Sequence, residues 1–135
     1  MVEREDQDSG SVLELPKGSR IHFELLGLPK MTNGQNVHWR VRFAQTRKWK
    51  DMVHRYFKLN PKPAQPLISA ALTLTRHSSN EPDFDGLVSG FKHVIDGLVE
   101  CGVLVNDKTS TIGQPTYRWM RAAPKKGRVE IEIRY

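Results

Sequence analysis

The chain has 135 residues, enough for one domain of ordinary size with its own hydrophobic core. Its single cysteine excludes an internal disulfide and a cysteine-based zinc site, and no run approaches the roughly 20 apolar residues of a membrane span. The formal net charge is +6. Glu3, Glu5, Asp6, Asp8 and Glu14 outnumber Arg4 and Lys17 at the start, so the rest of the chain is more basic than that total suggests. A basic domain behind an acidic arm suits a polyanion such as nucleic acid, where neutralised phosphates release counterions. Solubility alone is the plainer account of the same charge.

Residues 1–18 show little periodicity and read as a mobile acidic arm; 19–135 read as the domain. The polar N-terminus is unlike a secretory signal. Cys101 reads as a small core hydrophobe, and the expectation is a reducing, cytoplasmic location. From Arg20 to Leu26, Ile21, Phe23 and Leu25 alternate with His22 and Glu24, a strand signature. Gly27, Pro29, Asn33 and Gly34 mark a loop. A helix is predicted over about 45–58, with Trp49, Met52, Val53, Tyr56 and Phe57 on its apolar face and Asn60-Pro61 beyond its end.

Residues 67–75 read as a central strand, and a loop from His77 to Pro82 leads to Asp83 and Asp85. A second helix is predicted over 86–100, stopped by Gly102, with Leu87, Phe91, Val94, Ile95 and Leu98 at helical spacing. Strands are predicted near 114–121 and 128–134, joined by the basic turn Pro124-Lys125-Lys126-Gly127. The order β-α-β-α-β-β, without internal repeats, implies a small single α/β (α+β) domain with a mixed sheet and two main helices.

Asp83 and Asp85 stand two apart, so on extended backbone their carboxylates aim at one point. Such a pair repels unless a proton or a cation intervenes, and Mg²⁺ suits hard oxygen ligands. Ser89, Lys92, Asp96 and Glu100 fall on one polar stripe of the following helix, and Asp107 opens the segment after it. A helix of about 15 residues spans roughly 22 Å, so the chain must return for Asp107 to meet the pair. Each residue also has an ordinary reading. Asp85 could be an N-cap, Lys92 and Asp96 a surface ion pair, and Asn106-Asp107 a turn.

The run from Asp83 to Lys108, DFDGLVSGFKHVIDGLVECGVLVNDK, resembles the signature of RusA-like Holliday junction resolvases and their phage relatives. That pattern is Asp-x-Asp-Asn-Leu, a Lys, Asp-x-Leu, a Gly-hydrophobic stretch and an Asp-Asp pair. Asp83, Asp85, Leu87, Lys92, Asp96, Leu98, Gly102 and Asp107 match it in order, and Asn36-Val37-His38-Trp39-Arg40 resembles an upstream Asn…His-Trp-Arg stretch. Gly86 replaces the usual Asn, Asn106 replaces the first acid of the pair, and the interval from Asp85 to Lys92 is longer than in the founding member.

The resemblance implies a RusA-like fold and a crossover junction endodeoxyribonuclease that hydrolyses paired phosphodiesters of four-way DNA in recombination and repair. It implies Mg²⁺, with Mn²⁺ as a substitute, held by Asp83, Asp85 and Asp107, and Lys92 facing the scissile phosphate. Asp96 would support these residues. Branched DNA and a second copy of the chain are the implied partners, in a bacterial or phage-infected cell, with no membrane and no small-molecule substrate. His38, Trp39, Arg40, Arg42, Arg47, Lys48 and Lys50, together with Lys125 and Lys126, are the candidate DNA-binding residues; Arg118, Arg121 and Arg128 extend the second patch. Trp39 and Phe43 read as possible stacking residues, Trp49 rather as core. Two alternatives remain. One is a structure-selective DNA-binding accessory protein that is catalytically weak or inactive, favoured by Gly86 and Asn106. The other is an unrelated basic module, for RNA for example, with an incidental Asp cluster.

Overall fold

A computed structural model of the chain describes residues 14–15, 18–29 and 39–135. In chain order the elements are β1 (Glu14–Leu15), β2 (Arg20–Leu26), α1 (Trp39–Leu59), β3 (Lys62–Pro63), β4 (Ala71–Ser78), α2 (Phe84–Glu100), the short α3 (Thr109–Ile112), β5 (Thr116–Arg121) and β6 (Arg128–Arg134). Alternation builds the sheet. Ile21, Phe23 and Leu25 of β2 lie opposite Ile133, Ile131 and Val129 of β6 in an antiparallel pair, and all six are buried. β4 joins the other side of β6 antiparallel, and β5 joins β4 parallel, giving the order β2-β6-β4-β5. β1 and β3 pair separately. The result is a small single-domain α+β fold with a mixed four-stranded sheet and two main helices.

Both helices cover the same face of the sheet. Phe23 stacks on Tyr56 of α1 at 4.0 Å between ring centroids and meets Phe57 edge-on at 5.4 Å. Phe91 of α2 lies 6.1 Å from Tyr117 of β5, which pairs with the inward Leu74. The alternate residues of the strands form an opposite, polar face.

The two helices run in the same direction. Thr46 meets His93, Lys50 meets Gly97 and Glu100, and His54 approaches Glu100, so numbers rise together along both. Gly97 sets their closeness. A Cβ there would lie 3.0 Å from Val53 Cγ2 and 3.2 Å from the Lys50 Cα.

The strand at 128–134 and the stop at Gly102, with φ +85°, fall where expected. Other bounds move. β4 covers 71–78 rather than 67–75, because Leu67 bonds to the segment after α2 instead: its N–H donates to Val103 O at 2.8 Å and its carbonyl accepts from Val105 N at 3.0 Å. The polar end of β4 stays in the sheet because His77 and Ser78 pair with Met120 and Arg121. α1 begins six residues before the expected 45, and α2 and β5 span 84–100 and 116–121. Apart from residues 14, 15 and 18, the expected acidic arm lies outside the described residues, as does His38.

Gly97→Ala tests the helix contact. Alanine is the better helix former by about 1 kcal/mol, yet crowding a packed contact costs about 1–3 kcal/mol. Urea denaturation should show net destabilisation; a variant as stable as the parent would mean that the helices part without penalty.

Candidate functional site

α2 begins one residue after Asp83, whose carboxylate accepts from the Gly86 N–H at 2.8 Å and so caps the helix. Asp83, not Asp85, is therefore the N-cap. Asp85 sits within the first turn, so the two acids are not on the extended backbone that would aim them at one point. Asp85 instead lines a cleft of about 480 Å³ with Ser89 and Lys92 from the same helix stripe, walled by Phe84, Val88, Ile95 and Tyr117. Phe84 is 65 % exposed and meets Tyr117 edge-on at 6.1 Å. These two aromatic walls carry no motif of their own; only the pairing of β5 with β4 brings Tyr117 beside α2.

After Gly102 the chain turns back alongside α2, and Asp107 reaches Lys92. The ammonium donates to Asp96 Oδ1 and to Asp107 Oδ2, each at 2.9 Å. Asp107 thus meets the stripe two turns beyond Asp85, about 10 Å along the axis. The return brings Asp107 to Lys92 and Asp96. Among the described residues, Asp83, Asp85 and Asp107 do not form a group of three with ligand atoms within 4.8 Å of one another. Asn106 accepts from the Lys108 N–H at 2.9 Å, a side-chain turn that shapes the backbone beside Asp107.

Asp107 and then Asp96 raise the Lys92 ammonium above its usual range, against the opposing effect of partial burial. The same contact with Lys92 holds the Asp107 carboxyl below its usual range. Lys92 is a fixed cation at neutral pH, which rules it out as a proton acceptor there.

The parallel helices set the first turns of α1 beside those of α2, on the α2 face that carries His93 and Gly97; no residue of α1 lines the cleft. Trp39 and Phe43 are 64 % and 63 % exposed, and Arg40, Arg42, Arg47 and Lys48 are exposed around them. The Arg40 guanidinium lies 5.3 Å from the centre of the Trp39 ring. Trp49 is fully buried and belongs to the core, and Lys50 turns towards α2 to pair with Glu100 at 3.0 Å, away from the candidate DNA-binding set. Lys125 and Lys126 are exposed in the β5–β6 turn. That turn lies at the sheet end from which β4 leads to α2, as the pairing of His77 with Arg128 shows.

A different group has the geometry for a metal ion. Ligand atoms of Glu24, His77 and Glu130 lie within 4.8 Å of one another, on the sheet face away from the helices. The histidines have no metal-motif spacing in sequence, and the group becomes visible only once β2, β6 and β4 are paired. No helix among the described residues is long and apolar enough to cross a membrane. No protein-family model matches the chain, and no curated protein matches it.

The Lys92–Asp107 pair predicts an acid limb. A carboxyl whose folded pKa is depressed contributes stability above its unfolded value, about 3.9, and loses it as pH falls through the lower folded value. A lysine whose pKa is raised contributes below about 10.4 and loses that contribution as pH rises through the higher folded value. The pair is therefore intact between these limits. The drop in Tm from pH 6 to pH 3 should be smaller for Asp107→Asn than for the parent; equal drops would show that the pair adds nothing to folding.

Proposed function

We propose that the protein is a metal-dependent endonuclease acting on branched DNA, a four-way junction resolvase of the RusA-like kind. The observation that carries this reading is the placing of Lys92. An ammonium shared by Asp96 and Asp107 opens on the same cleft as Asp85, and the exposed basic and aromatic turns of α1 lie along another face of the same helix. The mixed four-stranded sheet with two helices on one face supports the reading at the level of architecture, and the ordered match over 83–108 supports it at the level of motif.

The donor set on α2 fits a hard, hydrated cation. It is made of carboxylates, Asp85 and Asp107 are exposed, and Mg²⁺ needs only one or two of them because it keeps several waters. As placed, Asp83, Asp85 and Asp107 do not close on one ion, so Asp85 would hold it with water and with the second oxygen of the capping Asp83, while Asp107 stays with Lys92. Bound there, the ion would make an attacking water more nucleophilic and stabilise the leaving alkoxide. The chain's own side chains do the rest. Lys92, charged throughout neutral pH, faces the negative charge that builds on the phosphate oxygens as water adds and the P–O bond to the sugar breaks. Arg40, Arg42, Arg47 and Lys48 track neighbouring phosphates, and Trp39 and Phe43 present faces on which unpaired bases at a branch point stack. A two-fold homodimer would supply two such sites for the two strands to be cut.

A second reading is a DNA-binding accessory protein without cutting activity. It is favoured by Asp83 acting as a helix cap and Asp107 as the partner of Lys92, roles that use both acids without a metal.

The test is an end-labelled synthetic four-way junction incubated with the protein in Mg²⁺ or in EDTA, beside Asp85→Asn and Lys92→Met. Paired nicks in Mg²⁺ should vanish with Asp85→Asn while junction binding persists, and Lys92→Met should slow cutting by about 10²–10³-fold. Binding without cutting in either Mg²⁺ or Mn²⁺ would select the accessory reading. For α1, Arg47→Ala should weaken junction binding and reduce the slope of log affinity against log salt by about 1; an unchanged slope would remove this helix from the DNA-binding surface.

A further inference from the structure

The polar face of the sheet carries an arrangement that DNA cleavage does not use. Glu24 of β2 and Glu130 of β6 are directly opposite each other in register, an unfavourable placing for two carboxylates unless positive charge stands between or beside them. Two imidazoles converge on Glu130. His22 Nε2 lies 2.5 Å from its Oε2, and His77 Nε2 lies 2.9 Å from its Oε1. The four side chains come from three adjacent strands, so paired backbone fixes their spacing. His77 is held most firmly, with its side chain only 8 % exposed. Arg128 Nε lies 3.3 Å from Glu24 Oε1 and steadies that carboxylate.

We propose that Glu24, His77 and Glu130 bind a divalent transition-metal ion of the zinc type, with water completing the shell, at a site separate from the carboxylates of α2. A donor set of one imidazole nitrogen and two carboxylates suits zinc, whereas magnesium and calcium prefer oxygen alone. A tetrahedral ion with bonds of about 2.0–2.1 Å separates its ligand atoms by about 3.3 Å. The His77–Glu130 contact, at 2.9 Å, already lies near that spacing, and Glu24, His77 and Glu130 are within 4.8 Å of one another. The ion takes the place of the protons that histidine and carboxylate share, releasing them on binding. Its effect is to tie the edge strand β2 through β6 to β4, the strand that leads into α2. This inference does not depend on nuclease activity.

The experiment is a titration of the full-length protein, freed of metal with EDTA, by zinc chloride alone. Heat of binding and Tm are both read, with Glu130→Gln, Glu24→Gln and Asp85→Asn beside the parent. Glu130 and Glu24 are exposed enough for their substitution to leave the fold in place. One zinc ion per chain should bind and raise Tm, with affinity falling at least tenfold in Glu130→Gln and Glu24→Gln and unchanged in Asp85→Asn. No saturable binding, or the same affinity in all four proteins, would overturn the site. Equal affinity for magnesium chloride at this site would overturn its assignment to the zinc type.

Discussion

Gly97 controls how near α2 comes to α1, and the packing of both helices on the sheet depends on that distance. At this point the backbone of Lys50 and the side chain of Val53 crowd the position where any larger residue would put a Cβ. With the helices this close and running in the same direction, the inward faces of both bury Trp49, Val53, Phe91, Val94 and Leu98 against the sheet. The faces left over point to solvent, away from the sheet. On α2 the leftover stripe is Asp85, Ser89, Lys92 and Asp96; on α1 it is the basic and aromatic start of the helix.

Electrostatics then decides what each surface can do. Acidic side chains are gathered in two places, and the two are relieved differently. Beside α2 the cation is part of the chain, and Lys92 lies between Asp96 and Asp107 on a long, flexible stem. That cation is exposed and can turn to a new anion without disturbing the core. On the polar face of the sheet the opposed Glu24 and Glu130 are met by imidazoles and by Arg128, on strands that cannot slide. There the geometry is rigid, and Glu130 is held below the usual carboxylate range by His22 first and His77 next. An exposed cation suits a phosphate that must arrive and leave. A rigid mixed nitrogen and oxygen cage suits an ion that stays.

The periodic parts of the fold were legible in the sequence and the cooperative parts were not. Val129, Ile131 and Ile133 marked β6 to the residue, because alternation on a half-buried strand is a local property. The first turns of α1 left no such trace: residues 39–44 are exposed on all sides, with no apolar face to betray a helix, so its start was set too late. β4 was shifted towards the apolar run 67–70 because polarity at Arg76 to Ser78 reads as loop, while strand pairing on both sides makes it sheet. The candidate acids were visible as a motif, but their local geometry was not. Capping by Asp83 starts the helix at Phe84, two residues before the expected 86, and so takes Asp85 out of the extended register that the pair was expected to share. The Glu24, His77 and Glu130 group was illegible for a deeper reason, since its members are far apart in the chain and meet only through strand order.

Strand order also links the two faces. β4 supplies His77 to the polar face and, a few residues later, delivers Asp83 to cap α2 on the other. Between them, Ser78 accepts from the indole N–H of Trp119 at 2.9 Å, and Arg121 donates to the Ser79 carbonyl at 2.6 Å, so the exit from β4 is fastened to β5 before the helix begins. The start of α2 is therefore tied by a short, hydrogen-bonded segment to the strand carrying His77. One interior strand of the sheet thus serves both surfaces, carrying His77 on one and leading into Asp83 on the other.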